Sequence, residues 1–177
     1  MKSTLLTVGF GILAITGQVN AALTLDGQRI GLDIEYPNQG TLYASYGTAD
    51  VVTPGIEFDT SGTVFTLDIS ATQVVFAYRA TFTALSAPWN AYRISDVNNA
   101  FKFTSASVNS ASNLVGLTPD RITFDTHNLY INVQGLNINP TTVAILDVGI
   151  APIPEPSNYV AGISALAMLY FGWRNRK

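Results

Sequence analysis

The stretch VFTLDIS (residues 64–70) decides the fold class of this chain. Its apolar residues Phe65, Leu67 and Ile69 alternate with polar ones, and successive side chains of a β-strand point to opposite faces. Similar apolar or alternating runs recur in QVVFAYRATF (73–82), AFKFTSASV (100–108), RITFD (121–125), NLYINVQ (128–134) and TTVAILDVGI (141–150). Residues 22–150 nowhere show the apolar spacing of a ten-residue helix, so we predict an all-β domain.

Short turn sequences separate these strands: PNQG (37–40), DTSG (59–62), SDVNN (95–99) and INP (138–140). Strands that recur roughly every 8 to 12 residues between such turns are typical of an antiparallel β-sandwich. We predict about nine or ten strands in a jelly-roll or immunoglobulin-like arrangement. RITFDT and NLYINVQGL should pair as a hairpin, with His127 exposed at the turn between them.

The N-terminal segment has the features of a secretory signal peptide. Lys2 precedes the apolar run LLTVGFGILAIT (5–16), and Val19 and Ala21 occupy the small-residue positions before a cleavage site. We therefore predict a signal peptide at residues 1–21, processing by signal peptidase, and a mature domain at residues 22–150.

The composition favours a packed domain and excludes several kinds of site. Of the 177 residues, 47% are hydrophobic and 12% charged, which is too apolar for a disordered chain. The absence of cysteine rules out thiol catalysis, zinc thiolates and disulfides, and a single histidine rules out multi-histidine metal sites. Residues 22–153 hold eleven acidic and five basic residues, a net charge of −6 that argues against nucleic-acid binding.

Two carboxylates in GLDIEYPNQG (31–40) form a candidate catalytic pair. Asp33 and Glu35 are two apart on a predicted strand and share a face, as glycoside hydrolysis could use. The stretch resembles the strand motif of laminarinase-type jelly-roll glycosidases, in which an acidic nucleophile precedes two further acids. Gly31 stands in the nucleophile position here. We therefore predict no enzyme, and a solvated outer face with Leu32 and Ile34 turned inward.

No other catalytic motif is present. The chain has no Gly-x-Ser-x-Gly elbow and no glycine-rich phosphate loop. The turn SDVNN is a candidate for calcium, with Asp96, Asn98 and Asn99 as oxygen ligands. Because Asp and Asn also favour turns on their own, a purely structural role for these three residues is the alternative.

Several aromatic residues could stack on sugar rings. The segment APWNAY (87–92) holds the best cluster, with Trp89 and Tyr92 as the candidate platform, and Tyr43 and Tyr46 are further candidates. The alternative for Trp89 is an anchor in the core or in a loop.

The C-terminal end differs in composition from the domain. Residues 151–158, APIPEPSN, contain three prolines and indicate an extended linker. Residues 159–173 carry no charge and, as a helix, would span about 23 Å, somewhat less than the about 30 Å of a bilayer core. We predict a marginal transmembrane helix followed by a basic tail, residues 174–177, with the charges of Arg174, Arg176 and Lys177.

This order of features resembles a known sorting signal. Pro154, Glu155 and Pro156, then one short apolar helix and a terminal basic cluster, are similar to the PEP-CTERM signal of Gram-negative bacteria. The resemblance implies that an exosortase, a membrane cysteine protease-transpeptidase, recognises the Pro-Glu-Pro motif and removes the helix. It also implies transient anchoring in the inner membrane, then release to the cell surface or outside the cell.

Two functional hypotheses follow from this resemblance. Proteins with this tail are associated with exopolysaccharide and biofilm matrix, and residues 87–136 resemble β-sandwich domains common among them. The first hypothesis is an exported, non-enzymatic structural or adhesive component of the surface or matrix. The second is a lectin-like module that binds the co-secreted polysaccharide.

Overall fold

The computed structural model describes residues 22–153, which form twelve β-strands and one turn of 3-10 helix, Pro119–Arg121. The strands are β1 (Arg29–Glu35), β2 (Leu42–Asp50), β3 (Phe58–Asp59), β4 (Phe65–Ile69), β5 (Gln73–Tyr78), β6 (Phe82–Thr83), β7 (Ala91–Asp96), β8 (Phe101–Val108), β9 (Ile122–Phe124), β10 (Asn128–Asn132), β11 (Asn137–Ile138) and β12 (Val143–Pro152).

The strands form two large antiparallel sheets, consistent with a β-sandwich. The first sheet has the order β2-β1-β7-β10-β9 and the second the order β3-β4-β5-β12-β8. A small third sheet pairs β6 with β11. The predicted all-β class with antiparallel sheets is therefore confirmed.

The core lies between the inner faces of the two large sheets. Phe65, Leu67 and Ile69 of β4 are fully buried, as their alternation predicts. Tyr92 of the first sheet meets two rings of the second, with centroid distances of 5.3 Å to Phe65 and 4.6 Å to Phe76. This aromatic contact joins the two sheets near one end of the sandwich.

The predicted hairpin is also confirmed, because β9 and β10 pair with Phe124 opposite Leu129. Asp125 orders the turn between them by accepting the backbone N–H groups of His127 and Asn128. The His127 ring lies at the turn as predicted, but only 38% of it is exposed, and its Nδ1 atom lies 3.7 Å from Oδ2 of Asp96.

Three details differ from the prediction. The described residues hold more strands than predicted, because β3, β6 and β11 have two residues each and are too short to show periodicity. Residues 73–82 form two strands in different sheets. The domain also extends beyond residue 150, because β12 continues to Pro152, opposite Phe101 of β8, and proline is tolerated at strand ends.

The signal peptide (1–21), the Pro-Glu-Pro motif (154–156), the apolar segment (159–173) and the basic tail (174–177) lie outside the described residues. Within residues 22–153, no helix is long and apolar enough to cross a membrane.

Candidate functional site

A cleft of about 170 Å³ opens at the end of the sandwich where β1 ends and β7 begins. Strands β1, β2 and β7 line one side, and the start of β4 together with β6 lines the other. The cleft therefore lies between the two large sheets, next to the aromatic contact that joins them.

Buried residues form the floor of the cleft. Phe65 and Ala91 are fully buried, and Tyr92 is 4% exposed. Burial raises the pKa of Tyr92, and the same effect raises the pKa of its neighbour Tyr78. Both phenols stay neutral at physiological pH, so the floor carries no charge.

Three tyrosines line the open side of the cleft. Tyr43 is 64% exposed and meets Tyr36 edge to face, with ring centroids 5.7 Å apart. Tyr46 is 37% exposed and packs against Phe65 of the floor at 5.4 Å. These edge-to-face contacts hold the rings in place while leaving aromatic surface open to solvent.

Two bulges in strand β2 bring Tyr43 and Tyr46 to the cleft, although side chains three apart on a regular strand face opposite sides. In the pairing with β1, Ala44 lies opposite Ile34 and Leu42 opposite Glu35, so Tyr43 is an extra residue. A second irregularity lies beside Tyr46 and Gly47. Bulges change the direction of a side chain, and Gly47 takes the positive φ of 83° that the second one requires.

The cleft offers uncharged polar groups at its edge. Among the described residues that line it, none carries a formal charge. The Thr83 hydroxyl donates to Asn137 and retains acceptor lone pairs, and the Asn90 side chain donates to the Leu85 carbonyl. The arrangement can stack a ring on tyrosine and exchange hydrogen bonds with its polar edge.

The predicted sugar platform of Trp89 and Tyr92 does not form. Tyr92 is buried in the core, because it shares the inner face of β7 with Ile94. Trp89 instead packs edge to face on Tyr130, which alternates with Leu129 and Ile131 and so lies on the outer face of the first sheet, where it is also buried. The two aromatic rings belong to opposite faces of the first sheet.

The carboxylates of Asp33 and Glu35 share a face, as predicted, but both contact the same arginine. Arg93 of the neighbouring strand β7 bonds Asp33 through Nη2, and its Nη1 lies 3.4 Å from Oε1 of Glu35. Glu35 Oε2 also accepts the backbone N–H of Gly40 at 2.8 Å. The predicted solvated face is wrong for Glu35, whose side chain is only 2% exposed because Arg93 and the loop after β1 cover it.

Gly31, which stands in the nucleophile position of the glycosidase motif, lies close to a side chain of the neighbouring strand. A Cβ atom at this position would lie 2.7 Å from Oγ of Ser95 on the adjacent strand. Such a contact is too short for any side chain without movement of the neighbour. A side chain at residue 31 would therefore need the Ser95 hydroxyl to rotate away from it.

The calcium prediction receives no support from the geometry. The Asp96 side chain lies beneath the turn, 1% exposed, and its two oxygens accept the backbone N–H groups of Asn98 and Phe101. Asn98 and Asn99 are exposed on the turn itself. Residues 22–153 contain no group of three or more His, Cys, Asp or Glu able to hold a metal ion. Asp96 thus has the structural role of ordering the turn.

Comparisons with protein-family models, curated proteins and solved structures find no match for this chain. The function of the cleft therefore has to be inferred from its own residues. Sequence reasoning identified Tyr43 and Tyr46 as candidate stacking residues but missed their assembly with Tyr36. The glycine in the segment SYG (45–47) is the one local sign of the bulge beside Tyr46.

Proposed function

We propose that this chain is an exported, non-enzymatic β-sandwich that acts as an adhesive component of the cell surface or exopolysaccharide matrix. It adheres by binding carbohydrate in the aromatic cleft.

The exposed tyrosine rings over an uncharged cleft are the observation that carries the binding role. Tyr43 is 64% exposed although it lies beside a packed aromatic floor. Sugar rings combine a C–H face, which packs on an aromatic ring, with hydroxyl groups that need hydrogen-bond partners. Tyrosine, threonine and asparagine side chains supply both kinds of contact in this cleft.

The carboxylates favour binding over hydrolysis. Glycoside hydrolysis needs two carboxyl groups that flank the scissile bond across a groove. Asp33 and Glu35 bind the same arginine on the outside of the first sheet, and the residues lining the cleft include no carboxylate.

The two ends of the sequence support the export and sorting part of the proposal. The signal-like residues 1–21 and the PEP-CTERM-like residues 154–177 suggest secretion, transient anchoring and release by an exosortase. The net charge of −6 over residues 22–153 argues against a nucleic-acid partner. The chain has no cysteine, so it forms no disulfide. We also propose that the sandwich has a jelly-roll or immunoglobulin-like arrangement.

A sedimentation assay with host exopolysaccharide tests the binding role. The purified protein should co-sediment with the insoluble polymer, and Tyr43→Ala should remain in the supernatant. Phe124→Ala is the matched control, because Phe124 is 42% exposed and lies on β9, at the opposite edge of the same sheet from β2. Equal co-sedimentation of all three proteins would contradict binding by the cleft.

A purely structural role is the second candidate, favoured by the exposed edge of β2. This strand has nine residues, pairs with β1 on one side, and carries no charge between Leu42 and Ala49. Uncharged edge strands are templates for pairing between molecules. Concentration-dependent assembly in analytical ultracentrifugation, lost in Ser45→Lys, would support this role, and a monomer at all concentrations would oppose it.

A further inference from the structure

We propose that the aromatic cleft binds one uncharged sugar ring, a neutral hexopyranose, and discriminates against uronic acids and sulfated sugars. This inference rests on the proposed carbohydrate-binding function and names the class of sugar that the cleft accepts. Tyr43 provides the stacking face, and Thr83 and Asn90 provide hydrogen bonds to the ring hydroxyls.

The volume of the cleft matches a single six-membered ring. It measures about 170 Å³, and an apolar cavity of about 150 Å³ is large enough to hold benzene. A hexopyranose with its hydroxyl groups is larger than benzene, so one sugar ring occupies the cleft while part of its hydroxyl groups and the neighbouring units of a polysaccharide lie outside it. We expect affinity for a single sugar of about 1 mM, which many surface-displayed copies can raise through multivalency.

The lining of the cleft suits the two chemically different parts of a sugar ring. Tyr36 meets Tyr43 at an interplanar angle of 75°, so the edge-to-face contact leaves ring surface of Tyr43 available for stacking. Burying the C–H face of a pyranose there removes apolar area from water on both partners. The hydroxyl edge is then directed to Thr83 and Asn90, whereas a purely apolar ligand would leave these polar groups without new partners.

The charge distribution selects against anionic sugars. A uronate carboxylate in this cleft would lose hydration and find no cation among the described lining residues. Arg29, Arg79 and Arg93 are already held in ion pairs with aspartates. Lys102 and Arg121, the other two cations of residues 22–153, do not line the cleft. The net charge of −6 over residues 22–153 adds a general repulsion of anions.

A titration with matched sugars tests the selectivity. The purified protein is titrated by NMR with glucose, galactose and mannose, and separately with glucuronate, galacturonate and mannuronate, which replace the hydroxymethyl group by a carboxylate. At least one neutral sugar should bind, and its uronate should bind about tenfold more weakly or worse at low salt.

Three variants locate the binding in the cleft. Tyr43→Ala should lower the affinity for the neutral sugar about tenfold. Tyr43→Phe keeps the ring, so its affinity should stay within about threefold of that of the unaltered protein. Phe124→Ala should leave the affinity for the sugar unchanged, because the exposed ring of Phe124 lies at the far edge of the first sheet. Unfolding curves for each variant identify any loss that reflects instability rather than a missing contact.

The outcomes separate this inference from the proposed function. Equal affinity for a neutral sugar and its uronate would overturn the selectivity while leaving carbohydrate binding in place. Binding of phenol in the cleft with higher affinity than any sugar would overturn the sugar assignment in favour of an apolar aromatic ligand. No saccharide binding at 50-fold the expected dissociation constant, about 50 mM, would overturn both proposals.

Discussion

Replacement of Arg93 by methionine should destabilise the domain far more than the same change at Arg29. Arg93 contacts two carboxylates, and one of them, Glu35, is only 2% exposed. Removing one partner of a fully buried ion pair costs about 3–5 kcal/mol, because the other charge stays buried and uncompensated. The Arg93 side chain is 31% exposed, so water reaches this site in part and we expect about 3 kcal/mol.

Arg29 is the matched control for this prediction. It binds Asp50 at 3.0 Å, but the two side chains are 43% and 61% exposed, so its loss should cost less than about 1 kcal/mol. Methionine preserves the apolar stem of either arginine and so isolates the effect of the charge.

Urea unfolding followed by circular dichroism measures both effects. With a slope of about 2 kcal/mol/M, Arg93→Met should lower the midpoint by about 1.5 M, and Arg29→Met by less than about 0.5 M. Adding Glu35→Gln to Arg93→Met should recover at least half of the loss, because glutamine removes the unpaired charge. Similar midpoints for the two single variants, or no recovery in the double variant, would refute the role assigned to the buried carboxylate.

Four further predictions concern the core, the pH response, a turn and processing. Phe76→Ala removes a fully buried ring and should cost about 3–5 kcal/mol in urea unfolding, against less than about 1 kcal/mol for the exposed Phe124→Ala. Because burial raises the pKa of Tyr92 above that in the unfolded chain, its contribution to stability is complete below about pH 10 and is lost at higher pH. Alkaline unfolding should therefore move to higher pH in Tyr92→Phe, and an unchanged midpoint would count against this cause. Asp96→Ala should cost about 1–3 kcal/mol, because two backbone N–H groups lose their acceptor, and amide hydrogen exchange at Asn98 and Phe101 should accelerate. Mass spectrometry of exported protein should find a C-terminus before the apolar segment 159–173, whereas an intact Lys177 would contradict processing.

Strand β4 shows how alternation in the sequence reveals a strand with a buried face. Phe65, Leu67 and Ile69 alternate because their side chains share the face of β4 that lies against the core, and that periodicity is visible in a single sequence. Strand β2 shows no such pattern, because most of its residues are exposed on both faces at the edge of the sheet. Periodicity cannot reveal a strand whose two faces meet the same solvent.

The candidate site was harder to predict because it depends on contacts between distant segments. Tyr92 and Ile94 are two apart on one strand, so their spacing indicates that the Tyr92 side chain points inward with Ile94. The prediction of a sugar platform at Tyr92 did not take this spacing into account. The burial of Glu35 depends on Arg93, which is 58 residues away, so no local pattern could show it. The cleft itself combines bulges in β2 with the position of β6 across from the first sheet, and both are tertiary features.

Mapping of a bound sugar by amide chemical shifts tests the central claim most directly. The purified protein, labelled with ¹⁵N, is titrated with the neutral sugar that binds most strongly in the panel above. Carbohydrate binding by the cleft predicts the largest shift changes at the amides of Tyr43, Ala84 and Asn90, which line it. Changes confined to Trp89 and Tyr130 on the outer face of the first sheet, or no changes at saturating sugar, would contradict it.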